Sequence, residues 1–168
     1  PESFRQREGL DPDERVVALL PGSRSGEVES LLPVFLRALD RLPASLRLRP
    51  YLVRAHSIAS ARIEELLAGR QVRVVPQERQ YEVLTAADLA VGSCGTANLE
   101  AALIGVPQLA AYRVHPLSYK LGRPLVKISR YSIVNILAEE ALIPELIQHE
   151  CTPANVAREM EPLLTDEG

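Results

Sequence analysis

At 168 residues with 46% hydrophobic content, the chain can bury one sizeable core and suits a single globular domain. Nineteen Lys and Arg against 22 Asp and Glu leave a net charge of -3, which excludes the global basic field that draws proteins onto nucleic acid. No run approaches the roughly 18 apolar residues of a membrane-spanning helix, and Pro1 opens a polar segment unlike a signal peptide, so the chain reads as soluble and cytoplasmic. Cys94 and Cys151 stand far apart without partner spacing, which indicates neither a disulfide framework nor a zinc site. His56, His115 and His149 show no metal spacing and receive no chemical role. A start at Pro1 without an initiating Met, and a polar Asp166-Glu167-Gly168 end, suggest a piece of something longer.

Short aliphatic runs alternate with stretches of helical period, the pattern of βαβ units on a parallel sheet covered on both faces. Residues 15–20 form the first expected strand, broken by Pro21-Gly22-Ser23 before a helix over 26–41 in which Leu31, Leu32, Phe35, Leu36 and Leu39 recur at helical spacing. A strand over 47–53, a helix over 57–68 capped at Gly69, and a strand over 72–75 follow. Then come a short helix over 80–87, a strand over 88–91, a turn at 92–95, a helix over 96–104 closed by Gly105-Val106-Pro107, and a strand over 108–112. The remainder, with prolines at 116, 124, 144, 153 and 162, reads as short helices joined by turns. Five or six parallel strands with right-handed crossovers give a Rossmann-like α/β fold, whose ligands bind outside the carboxyl ends of the strands.

Two loops occupy that position. In Leu20-Pro21-Gly22-Ser23-Arg24-Ser25-Gly26-Glu27, backbone N–H groups at a helix start and the forked guanidinium of Arg24 suit a diphosphate; alternatively Arg24 is an ordinary helix-flanking cation. In Gly92-Ser93-Cys94-Gly95-Thr96, Gly95 lets the backbone approach a ligand, and Thr96 serves as N-cap or phosphate contact; the plain alternative is a capped helix after a small-residue turn. Glu100, four residues after Thr96, can accept both hydroxyls of a ribose or is a dipole-matched surface residue. Neither G-x-G-x-x-G after the first strand nor G-x-x-x-x-G-K-[ST] occurs, so plain NAD or ATP binding loses ground, and carboxylates do not cluster with histidines as a binuclear metal site requires.

The segments Leu19-Leu20-Pro21-Gly22-Ser23-Arg24, Gly95-Thr96-Ala97-Asn98-Leu99-Glu100-Ala101, Tyr112-Arg113-Val114, Asn135-Ile136-Leu137-Ala138 and Pro144-Glu145-Leu146-Ile147-Gln148 resemble the lipid-A-disaccharide synthase family in content, order and spacing over nearly the whole chain. The resemblance implies an inverting glycosyltransferase of the two-Rossmann-domain (GT-B) type, with residues 1–168 as the C-terminal half that holds the UDP-sugar donor. It implies transfer of 2,3-diacylglucosamine from UDP to 2,3-diacylglucosamine 1-phosphate with a β-1,6 linkage and release of UDP, using a general base and neither metal nor cofactor. By position, Ser23, Arg24, Gly95 and Thr96 hold the diphosphate, Glu100 the ribose, and Asn135 and Gln148 face the donor sugar, with uracil near Pro76 and Gln77. The acceptor site, most acyl-chain contacts and the base belong to an N-terminal domain without counterpart here, so the chain alone is expected to bind without catalysing.

Two positions depart from the family's pattern. Ser132-Ile133-Val134-Asn135 stands where Ser-Leu-Pro-Asn is usual, which puts the local turn and the role of Asn135 in doubt, and Cys94 stands in place of a plainer small residue. Other UDP-sugar proteins of the same architecture, a UDP-N-acetylglucosamine 2-epimerase or the peptidoglycan N-acetylglucosaminyltransferase, share a ribose-binding Glu, but the Leu-Pro-Gly-Ser-Arg segment argues against them. A non-catalytic nucleotide-sugar-binding module is the alternative outside enzymes. The resemblance also allows a homodimer. Finally, Lys120, Arg123, Lys127 and Arg130 among Leu121, Leu125, Val126 and Ile128 form either a peripheral contact with an anionic membrane face or a solvated helix packed on a core.

Overall fold

A computed structural model describes residues 2–113 and 130–165. Among them, six strands form one wholly parallel sheet in the order β3-β2-β1-β4-β5-β6. The strands are β1 Arg15–Leu20, β2 Leu48–Arg54, β3 Arg73–Pro76, β4 Leu89–Ser93, β5 Gln108–Tyr112 and β6 Glu145–Ile147; the helices are α1 Glu2–Arg7, α2 Ser25–Leu39, α3 Ser60–Leu67, α4 Gln80–Ala86, α5 Thr96–Ile104, α6 Ile133–Ala138 and α7 Pro153–Thr165.

Alternation along the strands splits the core in two, because successive side chains leave opposite faces of a sheet. Val17, Leu19, Leu52, Leu89, Val91, Leu109 and Ala111 meet α2, α3 and α7 through Phe35, Leu32, Ile63 and Met160. Val16, Ala18, Leu20, Val53 and Ala90 face the other way, onto Phe4 of α1, Val83 and Leu84 of α4, and Ala101 of α5. With both faces covered, the central strands carry apolar residues at consecutive positions, which is why β1 and β4 read as continuous runs.

The expected Rossmann-like sheet is present, with shifts at its element ends. The second strand starts after Arg47 rather than on it, because Arg47 has left-handed backbone, φ 44°. Ala68, with φ 50°, caps α3 in the position assigned to Gly69, which follows at φ 78°. The tail is more regular than its prolines suggest. Pro144 precedes a sixth strand of only three residues, and Pro153 opens a 13-residue helix at the first position, where no N–H is needed. Helix α1 was absent from the sequence reading, since its segment has no apolar period. Its buried Phe4 packs edge-on to Tyr51 at 5.4 Å beneath the Arg79 guanidinium at 5.6 Å. Beside it, the Arg79 hydrogen bond at 2.8 Å holds the Glu8 carboxyl below its ordinary range.

His115, Val114 and the Lys120, Arg123 and Lys127 part of the suggested membrane-facing stretch lie outside the described residues, as does the Asp166-Glu167-Gly168 end. Among the described residues no helix is long and apolar enough to cross a membrane.

Candidate functional site

From β1 the chain crosses toward β2, and from β4 toward β5, so the sheet order reverses between two hydrogen-bonded neighbours. Leu20 pairs with Gly92 at this switch point, and both loops singled out in the sequence open from it side by side. Between them lies a cleft of about 410 Å³. Gly22, Ser23, Arg24 and Glu27 form one wall, and Cys94, Gly95, Thr96 and Glu100 the other. Gln77 and Gln80, after β3, and Tyr112 and Ile133 also line it.

The first wall is built by Gly22 and Glu27. Gly22 has φ 112°, and a Cβ there would collide with the Glu27 carboxylate, so only glycine lets the chain turn so closely onto the first turn of α2. Glu27 accepts from the Arg24 backbone N–H at 3.4 Å and from Arg24 Nη1 at 3.0 Å. The Arg24 side chain is otherwise solvent-facing, with 84% of its surface exposed, and its carboxylate partner stands where a helix N-terminus favours an anion. Ser57 Oγ donates to the Ser23 carbonyl at 2.6 Å and ties the loop after β2 to this wall.

On the second wall, Gly95 rather than Thr96 is the N-cap residue, and Thr96 is the first residue of α5. The N–H groups of Thr96 and Ala97 therefore have no acceptor within the helix, and both residues line the cleft. A Cβ at Gly95 would meet only Ser93 Oγ, at 3.7 Å, and the backbone there is extended, so the protein itself leaves room for a side chain. Behind the wall, Asn98 is fully buried. Its Nδ2 donates to Gln108 Oε1 at 2.9 Å and its carbonyl accepts from Gln108 Nε2 at 3.0 Å, which fixes the start of α5 on β5. Glu100 lies on the inward side of α5 and accepts from the side-chain amide of Gln80, the first residue of α4.

Five of the seven expected site residues thus converge: Ser23, Arg24, Gly95, Thr96 and Glu100 line the cleft, whereas Asn135 and Gln148 do not. Asn135 is buried and engaged with protein. Its Nδ2 donates to the Ile143 carbonyl at 2.9 Å and to Glu145 Oε1 at 2.8 Å, and its Oδ1 accepts from Ile143 N–H at 3.0 Å. Glu145 also accepts the backbone N–H groups of Tyr131 and Ser132, both at 2.9 Å. This clamp sets α6, whose first residue Ile133 lines the cleft, and seats Tyr131 against Tyr112, ring centroids 6.0 Å apart. Gln148, with φ 51°, borders a separate hollow beside Arg37 and Arg113. Pro76 ends β3 while Gln77 lines the cleft, its Oε1 accepting from the His56 N–H at 3.3 Å.

Sequence reading missed Gln80, Glu27 and Tyr112 as lining residues. For Gln80 a signal existed: it follows the carboxyl end of β3, where ligands of this fold gather. A larger hollow of about 840 Å³ lies beside α6 and β6 and is lined by Arg130, Leu142, His149 and Glu150, among others, away from both loops. Among the described residues no group of three His, Cys, Asp or Glu side chains converges to hold a metal ion.

Burial, with Glu145 adding to it, pushes the Cys94 thiol up to about 12. The neutral form therefore prevails through the neutral range, and thiolate appears only as pH approaches that value. In the folded protein Cys94 is expected to resist a disulfide reagent at neutral pH and to react on unfolding; rapid labelling of folded protein at Cys94 would contradict this.

The fold is the Rossmann-like α/β fold of GT-B glycosyltransferases. Solved structures of similar fold include WaaG, a glycosyltransferase involved in lipopolysaccharide biosynthesis (TM-score 0.65, 18% identity, 98% of this chain and 42% of that one), and a putative UDP-N-acetylglucosamine 2-epimerase from Listeria monocytogenes (TM-score 0.61, 15% identity, 93% and 38%). Residues 1–168 match the family described as Lipid-A-disaccharide synthetase. The chain belongs to this family. It is 39% identical over 160 residues to the lipid-A-disaccharide synthase of Geobacter sulfurreducens, covering 94% of this chain and 42% of that protein. With the enzyme of Azotobacter vinelandii it shares 42% identity over 160 residues, covering 92% and 42%. The chain therefore spans less than half the length of these relatives.

Proposed function

We propose that this chain is the donor-binding, C-terminal part of a lipid-A-disaccharide synthase, and that its cleft holds UDP-2,3-diacylglucosamine. The observation that carries the reading is the convergence of Arg24, of Thr96 and Ala97 at the start of α5, and of Glu100 on one cleft at the switch point. A diphosphate spans the two helix starts, displacing Glu27 from the Arg24 guanidinium, and a ribose hydroxyl donates to Glu100. Gly95 is glycine because a ligand, rather than the fold, needs the space beside it. Uracil lies along Pro76 and Gln77. Asn135 acts through the clamp on Glu145, by placing Ile133 and Tyr131 on the sugar side.

Transfer breaks the bond between the anomeric carbon and the β-phosphate oxygen while the acceptor 6-hydroxyl attacks from the opposite face, inverting the anomeric centre. Charge grows on the departing UDP, and donors aimed at its phosphates stabilise it most as the bond breaks. The general base, the acceptor site and the acyl contacts come from the rest of the full-length protein, so the isolated chain binds without turning over. The test is release of UDP and disaccharide by the full-length protein given UDP-2,3-diacylglucosamine and 2,3-diacylglucosamine 1-phosphate. Turnover with UDP-N-acetylglucosamine instead, or none with the diacylated pair, would overturn the substrate assignment.

A further inference from the structure

Resting on the nucleotide-sugar reading, we infer that Gln80, by anchoring Glu100 and offering an acceptor of its own, makes the cleft select a ribonucleoside diphosphate over its 2′-deoxy counterpart. Gln80 opens α4 and Glu100 lies in the second turn of α5, and both are half-buried residues lining the cleft. Gln80 Nε2 donates to Glu100 Oε2. Among the described residues, Glu100 Oε1 and Gln80 Oε1 have no hydrogen-bond partner. The pair therefore presents two acceptors from two different helices, locked together by the amide between them.

Two fixed neighbouring acceptors match two neighbouring hydroxyl donors, the 2′ and 3′ hydroxyls of ribose. A 2′-deoxyribose covers both acceptors but satisfies only one, and an acceptor desolvated without a donor is costly. The anchoring amide is what makes the mismatch hard to escape. Glu100 held through Oε2 cannot turn its carboxylate to optimise a single remaining hydroxyl, whereas a free Glu100 can. Loss of Gln80 is therefore expected to erode discrimination more than affinity. If the amide merely staples α4 to α5, its loss would lower stability and leave discrimination as it was.

The experiment is titration of UDP and 2′-deoxy-UDP into the wild-type chain, Gln80→Leu and Gln80→Glu, with urea unfolding of each. The wild type is expected to favour UDP by roughly tenfold or more, and Gln80→Leu by about threefold or less, with a near-unchanged unfolding midpoint. Gln80→Glu sets two carboxylates against each other, so its UDP affinity relative to the wild type should rise as pH falls and one of the pair takes a proton. An undiminished preference in Gln80→Leu, or a wild type that binds both nucleotides equally, overturns the role of Gln80 while leaving the nucleotide site standing. A folded wild type that binds neither overturns the nucleotide reading, and this inference with it.

Discussion

Glu100→Ala is expected to weaken UDP binding to this chain by roughly a hundredfold. Glu100→Ala deletes a charge-assisted hydroxyl bond of about 2 kcal/mol and unfixes the Gln80 acceptor that takes the second hydroxyl, about 1 kcal/mol more, about 3 kcal/mol together. Glu100 is half-buried beside Gln80, so little of that is recovered by water. Arg24→Ala makes an instructive contrast. Its guanidinium is largely exposed and already paired with Glu27, so its loss should cost about tenfold, and the difference from wild type should shrink as salt rises through the screening range. Calorimetric titration of the three proteins at two ionic strengths reads both effects. An Glu100→Ala protein that binds UDP as wild type does would remove Glu100 from the site.

The second large effect falls on stability. Asn135→Asp keeps an oxygen for the Ile143 N–H but replaces the amide that donates at 2.8 Å to Glu145 Oε1 with a second carboxylate. It also removes the bond to the Ile143 carbonyl. The loss should be about 3 kcal/mol near neutral pH, read as a lower urea midpoint. The sign of its pH dependence follows from the repulsion, which raises the carboxyl pKa of the pair in the folded state. The variant therefore regains stability relative to wild type as pH falls and one carboxyl is protonated. Because the clamp places Ile133 and Tyr131, UDP-sugar affinity should fall along with stability. An Asn135→Asp protein of wild-type stability that had lost only sugar binding would instead make Asn135 a direct contact.

Legibility of the sequence tracked how locally each feature is encoded. The central strands and the loops after β1 and β4 were readable, because apolar runs, Pro21-Gly22 and Gly95-Thr96 carry their own signals. Arg24, Thr96 and Glu100 could be placed on one cleft because the switch point of a parallel sheet brings the ends of β1 and β4 together whatever intervenes. What escaped depends on partners far along the chain. β6 is three residues whose strand character comes from pairing with β5, and α1 is held by Phe4 reaching Tyr51. Asn135 looked like a ligand contact since motif position alone cannot reveal that Ile143 and Glu145 consume its amide. Gln80 was overlooked for a similar reason: only the packing of α4 beside α5 turns an ordinary helix-opening glutamine into a partner of Glu100.

The central claim is that this chain carries a preformed uridine diphosphate site, and titration of UDP into the wild-type chain with ADP as control tests it most directly. Saturable one-to-one binding of UDP and markedly weaker binding of ADP are expected, with uracil placed against the Gln77 side of the cleft. A folded chain that shows no heat with UDP, or binds ADP equally well, would contradict it.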